Sequence, residues 1–307
     1  MRLTGFIFPG QGSQYVGMGR ELFENFSFAR QIFEEADDTL HLSISKLCFQ
    51  GPEESLKLTE NTQPAILTTS IACLRVLEQE KGCVPQLAAG HSLGEYSALV
   101  ASGALTFFDA VRIVRLRGRF MQEAVPVGEG AMAAVLGMER EEVQRLCEEA
   151  ADENVLAAAN YNSPGQIVIS GHAEAVERAI ERVKGNGKKA MLLPVSAPFH
   201  CPLMKGAGDR LAREIEPIPV KDLKIGVVTN VEAEINTRKE RVKPLLISQI
   251  SSPVRWEDSM RTMVRDGIEQ IIEIGPGKVL SGLMKRIDPK IQTGNIEGIE
   301  SLKRITC

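Results

Sequence analysis

No cluster of histidine, cysteine and carboxylate in this chain has the spacing of a metal site. Only four histidines occur in 307 residues, and no two of the six cysteines stand as CxxC. A resident metal is therefore not expected. Cys48, Cys73, Cys83, Cys147, Cys201 and Cys307 are widely scattered. They read as reduced cytoplasmic thiols rather than a disulfide framework. A run of about 18 apolar residues is also missing, so no membrane span is expected. The first residues, "MRLTGFIFPGQGSQ", hold a short apolar run cut off at Pro9-Gly10. That run suits a first β-strand better than a secretory leader. Basic excess is lacking too: 36 Lys and Arg face 40 Asp and Glu, a net charge of -4. Such a balance argues against nucleic acid as the partner. The expectation is a cytoplasmic monomer without membrane or nucleic-acid contacts.

Two glycine-rich stretches fall short of nucleotide loops. In "PGQGSQY" the third glycine of GxGxxG would stand at position 15, which is Tyr15. In "IGPGKV" Val279 follows Lys278 where a P-loop needs Ser or Thr, and Ile272 occupies the first glycine position. Both stretches are expected to shape turns.

What is present is alternation. Residues 3–8 form a short apolar strand, 18–49 read as largely helical, and 62–82 carry helical spacing up to Gly82. A strand at 86–90, a helix from Leu93 to about Ser102 and a helix over 106–124 follow. Strand–helix alternation predicts an α/β protein with a parallel sheet covered on both faces. The pattern then becomes β-α-β-β-α-β. Its strands are "AMAAVLG" (131–137), "VLAAANYN" (155–162), "QIVISG" (166–171) and "KKAMLLPVS" (188–196). That is the split βαβ order of a ferredoxin-like domain. The expected division is a small domain at 128–196 inserted in a large domain formed by 1–127 and 197–307.

Gly90-His91-Ser92-Leu93-Gly94 fits GxSxG at a strand–helix seam. In this nucleophile elbow small residues permit a tight turn that pushes the serine oxygen outward. The helix N-terminus behind it offers free N–H groups to an oxyanion. A chance match in a glycine-rich turn is the plainer alternative, and the strand–turn–helix context outweighs it. A nucleophilic serine needs a base. His91 adjoins Ser92 and should point elsewhere. His172 opens a helix, as a capping or surface residue, and His41 lies in a mixed polar stretch. His200 sits in "SAPFHCPLM", stiffened by Pro198 and Pro202 where the chain leaves the small domain. Elimination favours it. For an orienting acid, Asp109 and Asp152 have no telling context, so a triad and a Ser–His dyad both stay open.

Six segments together carry a resemblance. They are "FIFPGQGSQYVGMGREL", "GHSLGEYSALVASGAL", "RLRGRFMQEAVPVGEGAMAAVLG", "NYNSPGQIVISG", "PFHCPLM" and "EIGPGKVLSGLMKRI". In this order, over nearly the whole chain, they resemble the bacterial malonyl-CoA:acyl carrier protein transacylases. The resemblance implies a hydrolase-like large domain with a ferredoxin-like insertion. It implies transfer of malonyl from malonyl-CoA through a seryl ester to the phosphopantetheine thiol of acyl carrier protein, in fatty acid biosynthesis and with no cofactor. By the same resemblance Ser92 is the nucleophile and His200 the base. Backbone N–H groups of Gln11 and Leu93 hold the oxyanion, Arg117 pairs with the malonyl carboxylate, and the Gln249 carbonyl orients His200. Cys201 stands where many relatives carry serine.

Arg117 shares a helix with Arg112, Arg115 and Arg119. A solvated basic face is the plain expectation for most of them. "KGNGKK", with Lys184, Lys188 and Lys189, is ordinarily a solvated turn and is also a candidate docking patch for an acidic carrier. Lys285 and Arg286 form a second such group. An esterase or thioesterase is the rival activity, for which a carboxylate clamp at Arg117 would have no use. A non-catalytic carrier-binding scaffold is the third class, and the intact Ser92, His200 and PGQGSQ set argues against it.

Overall fold

The computed structural model describes residues 2–195 and 197–306. Ser196, where the expected last small-domain strand and the 128–196 segment both end, lies outside them, as does Cys307. The strands are β1 (Thr4–Phe8), β2 (Leu87–Gly90), β3 (Gly130–Leu136), β4 (Leu156–Ser163), β5 (Gln166–His172), β6 (Lys189–Leu192), β7 (Gly226–Val228), β8 (Ile235–Asn236), β9 (Gln270–Ile274) and β10 (Gln292–Ile296). They form two sheets. The larger has the order β10-β9-β1-β2-β7-β8. All its pairings are parallel except β7 with β8, so the expected parallel sheet ends in one short antiparallel edge strand.

Every residue of β1, β2 and β9 is buried. The two sheet faces are covered by different apolar clusters. Phe6, Phe8, Ile272 and Ile274 belong to one, while Ile7 and Ile271 belong to the other. This period of two is the pleat of a strand buried on both sides. Each such side chain contributes about 1.5–3 kcal/mol on burial. The strand ends that carry the site therefore rest on a stiff base. Two helices, Thr59–Lys81 and Phe107–Glu123, pack closely at Gly118, where an added Cβ would fall on the Thr59 carbonyl.

The smaller sheet is antiparallel throughout, in the order β4-β5-β3-β6. One face meets helices Arg140–Ala151 and Ala173–Gly185 in a cluster of its own, through Ala133, Val135, Ile167 and Ile169. The other turns Met132, Ala134 and Val168 toward the large sheet's core. This is the ferredoxin-like insertion. The two-domain α/β fold agrees with the expectation.

Several elements escape the apolar pattern. Helices Glu53–Lys57, Lys205–Ile215, Val242–Gln249 and Ile299–Arg304, with β8 and β10, were not anticipated. β10 reads QTGNI, an edge strand with a single large apolar residue. Among the described residues no helix is long and apolar enough to cross a membrane. Cys48, Cys73, Cys147 and Cys201 are free and buried. Cys83 is disulfide-bonded, so the expectation of reduced thiols throughout fails there.

Candidate active site

β2 stops at Gly90 and helix Gly94–Ala101 starts four residues later. No larger residue fits at either glycine. A Cβ on Gly90 would strike the Gly94 carbonyl, and one on Gly94 would strike the Phe8 carbonyl. Between them Ser92 takes φ 51°, a left-handed conformation that costs a non-glycine residue about 1–3 kcal/mol. Neighbours hold it there. The Asn230 Oδ1 accepts the Ser92 N–H at 2.7 Å, and the Gln249 Nε2 donates to the Ser92 carbonyl at 3.1 Å. Glu95, one helical turn on, accepts from both the Asn230 N–H (3.0 Å) and the Gln249 Nε2 (2.7 Å). Burial pushes the Glu95 carboxyl up to about 7.

The Ser92 Oγ lies 2.7 Å from the His200 Nε2. On the far side of the ring, the Nδ1 lies 2.8 Å from the Gln249 carbonyl oxygen. A carbonyl only accepts, so Nδ1 carries the proton and Nε2 is left to accept from serine. No acid is used. Asp109 takes part in the cap of its own helix with Thr106, and Asp152 follows helix Arg140–Ala151 as its C-cap. The open choice between triad and dyad closes on the dyad. Burial, and then the Arg117 charge, lower the His200 pKa to about 3. The imidazole is thus neutral and able to accept at any ordinary pH.

Arg117 is no surface residue: it is 1 % exposed. The helix approach at Gly118 sets it against Gln63, whose Oε1 accepts from Nη1 at 2.8 Å. Nη2 donates to the Gln249 Oε1 at 2.9 Å and to the Ser92 Oγ at 3.1 Å. These partners are all neutral, and the buried Nε has none. A buried cation so placed favours an incoming anion. Gln11 and Leu93 line the same cavity of about 100 Å³, with Ser92, Arg117, Asn160 and His200. Among the described residues neither the Gln11 nor the Leu93 N–H makes a backbone hydrogen bond in the turns and loops.

The remaining histidines stay apart from this chemistry. The His91 Nε2 donates to the Asn162 Oδ1 at 2.9 Å and its ring packs on Trp256. His172 stands at the N-cap of helix Ala173–Gly185, and its Nδ1 accepts the Val155 N–H at 2.9 Å instead of capping the helix with its side chain. His41 ends helix Ser27–Leu40. A second cavity of about 160 Å³ shares Gln11 and His91 with the first and extends past Asn162 to Gln166 and Leu283. A larger hollow of about 520 Å³, around Glu142 and Arg182, lies on the outer helices of the small sheet, with no nucleophile–base pair.

Residues 5–294 match the acyl transferase domain family. Over 305 residues, 99% of this chain and 96% of the relative, identity is 50% to the malonyl CoA-acyl carrier protein transacylase of Bacillus subtilis (strain 168). The chain belongs to the malonyl-CoA:acyl carrier protein transacylase family. The Escherichia coli (strain K12) transacylase is 49% identical over 94% of this chain and 93% of its own. The crystal structure of the Clostridium perfringens transacylase superposes with a TM-score of 0.95 at 44% identity, covering 98% of this chain and 95% of that one. A malonyl-transacylase in complex with its type II PKS acyl-carrier protein gives 0.96 at 45% identity and 98% coverage of both.

Within this transacylase-family site, four contributors were not read from the sequence. Gln63, Glu95, Asn160 and Asn230 are ordinary polar residues in apolar surroundings. Burial of a polar side chain was the only available signal. It exists locally for Glu95, which stands in the apolar helix "GEYSALVA".

Proposed function

We propose that this chain is a ping-pong acyltransferase that moves malonyl from malonyl-CoA to the phosphopantetheine thiol of acyl carrier protein, with Ser92, His200 and Arg117 as its working side chains. The His200 Nε2 takes the Ser92 proton as Oγ attacks the thioester carbon. The oxyanion forms against the Gln11 and Leu93 N–H groups. The C–S bond then breaks, and His200 returns the proton to the leaving CoA sulfur. In the second half the carrier thiol gives its proton to His200 and attacks the seryl ester, and Ser92 regains a proton as it leaves. Each step is proton transfer and acyl exchange, so no cofactor is required beyond the CoA carried by the donor. We also keep the division at 128–196 as a proposal, supported by the separate sheet and apolar cluster of that segment.

The observation that carries this reading is the buried Arg117 Nη2 standing 3.1 Å from the Ser92 Oγ. A simple esterase has no use for a desolvated cation beside its nucleophile, whereas a malonyl ester brings a carboxylate there. The direct test is a malonyl adduct on the Ser92 peptide after mixing with malonyl-CoA, discharged on adding carrier protein. Release of free malonate at the same rate without carrier would favour a thioesterase.

Arg117→Ala supplies a sharper measurement. A charge-assisted hydrogen bond is worth about 1.5–3 kcal/mol and a bidentate fork makes two, so about 3 kcal/mol is at stake. At about 1.4 kcal/mol per decade, kcat/KM for malonyl-CoA should fall roughly a hundredfold. Acetyl-CoA should become a relatively better donor, and Arg117→Lys should recover only part of the loss. The acid limb of the acylation profile should also move. In the native chain it lies well below the ordinary histidine range, because the Arg117 charge disfavours imidazolium. Removing that charge raises the His200 pKa, so the limb shifts to higher pH. An inflection near pH 7 belongs to Glu95 instead. An unchanged donor ratio in Arg117→Ala would mean that the carboxylate is held elsewhere.

Carrier docking is proposed to use a basic patch. Lys184 lies in the last turn of helix Ala173–Gly185, and Lys188 and Lys189 lead into β6, while the stretch after that strand, at Leu193 and Val195, lines the cavity. Lys285 and Arg286 end helix Val279–Ile287, whose first turn lines the second cavity, and the Arg286 Nη1 donates to the Gln166 Oε1 at 2.7 Å. Position favours this second group. Charge reversal there should raise the carrier KM and leave the malonyl-CoA KM unchanged. A carrier KM indifferent to both reversals and to salt would remove the patch.

A further inference from the structure

β4 changes phase in mid-strand. Leu156 and Ala158 point to the helix-covered face of the small sheet, and a regular period of two would send Asn160 and Asn162 the same way. They do not follow. Ala158 pairs with Ile169 and Asn160 with the next residue, Val168, so Ala159 is an extra residue. After this bulge Tyr161 takes the helix face, and Asn160 turns into the cavity beside Ser92. A loop of the large domain holds the bulge open. The Val254 N–H donates to the Ala159 carbonyl at 2.8 Å, and the Tyr161 N–H donates to the Val254 carbonyl at 2.9 Å. β-Bulges beside active sites commonly re-aim a side chain in this way.

Asn160 is 7 % exposed, and among the described residues its carboxamide makes no hydrogen bond, so its polar atoms are left open to the cavity. Polar atoms held at the cavity wall without a protein partner can bond a polar group that enters there. From Ser92 the first cavity continues into the second along Gln11 and His91, toward Asn162 and Gln166. A pantetheine arm laid along that path carries a secondary amide two carbons from its sulfur. We propose that Asn160 binds this amide through one hydrogen bond, its Oδ1 accepting the amide N–H. The malonyl donor and the carrier thiol both carry that group, so one residue would position both. The inference rests on the acyl-transfer reading above.

The test compares two small donors: malonyl N-acetylcysteamine thioester, which has the amide, and malonyl S-butyl thioester, which lacks it. Asn160→Ala should lose about tenfold in kcat/KM on the first, the effect of one neutral hydrogen bond at a desolvated site. On the butyl thioester it should stay within about twofold, and that rate also reports that the site is intact. Asn160→Ser should behave likewise. In the second half-reaction, N-acetylcysteamine should lose the same factor as acceptor, and butanethiol should not. Equal losses on both donors, or none on either, would overturn the inference and leave acyl transfer standing. Failure of the wild-type chain to form a malonyl-Ser92 ester with either donor would overturn the acyl-transfer reading, and this inference with it.

Discussion

Ser92→Ala forms no acyl-enzyme and transfers no malonyl group. The chemistry needs an oxygen within reach of a neutral imidazole, beside the donors for the oxyanion and the Arg117 fork. Among the described residues the Ser92 Oγ alone meets the His200 Nε2, at 2.7 Å, and the Arg117 Nη2, at 3.1 Å. Cys201 adjoins the base in sequence, but its buried Sγ donates to the Pro198 carbonyl, and burial raises its pKa. A thiol so placed is a poor nucleophile. The alanine variant should still fold, because the Asn230 and Gln249 bonds to position 92 are to its backbone. Its unfolding midpoint should therefore stay near that of the native chain. Intact-mass analysis after incubation with malonyl-CoA checks the rest. A covalent malonyl adduct on the folded alanine variant would place the nucleophile elsewhere.

His200→Ala slows acylation by roughly 10²–10⁴-fold, the usual contribution of a positioned general base. The loss is incomplete because the oxyanion donors and Arg117 remain in place. His91→Ala removes an imidazole that faces Asn162 and Trp256 rather than Ser92, and should cost less. Single-turnover acylation of the two folded variants separates them. If His91→Ala lost more of the rate than His200→Ala, the base would have to be reassigned.

These assignments differ in how far they could be seen from the chain alone. The elbow was legible because its requirements are local: two glycines four apart, an apolar run before them and a helix after. His200 was legible by counting, since three other histidines had better alternatives. The ferredoxin-like order was legible because its apolar periods alternate cleanly. The orienting group of His200 was open on the residues alone, and only the family resemblance pointed to Gln249. A backbone carbonyl leaves no mark on residue type, and a search for acids looks past it. Glu95 and Asn230 were hidden for another reason. Their roles are bonds to the main chain of residue 92 and to Gln249, across sequence separations that no local pattern spans. The direction of Asn160 required knowing the partner of each β4 residue, because a bulge is a property of two strands together. The helix Lys205–Ile215 begins "KGAG", with two glycines and little apolar content in its first turn, which masks its start. The Cys83 disulfide has no CxxC or short spacing to announce it.

Gln249 belongs to two devices at once. Its backbone carbonyl holds the His200 ring, and its side-chain oxygen holds the Arg117 fork, proposed above as the seat of the acyl carboxylate. Speed and selectivity therefore share a part, and a change made there to admit new acyl groups also disturbs turnover. Gln63 offers a separate handle. It grips the same guanidinium from the opposite helix, at 2.8 Å, and makes no bond to His200. Diversification of the acyl group, in the laboratory or over evolutionary time, has an open route through position 63 and a constrained one through position 249.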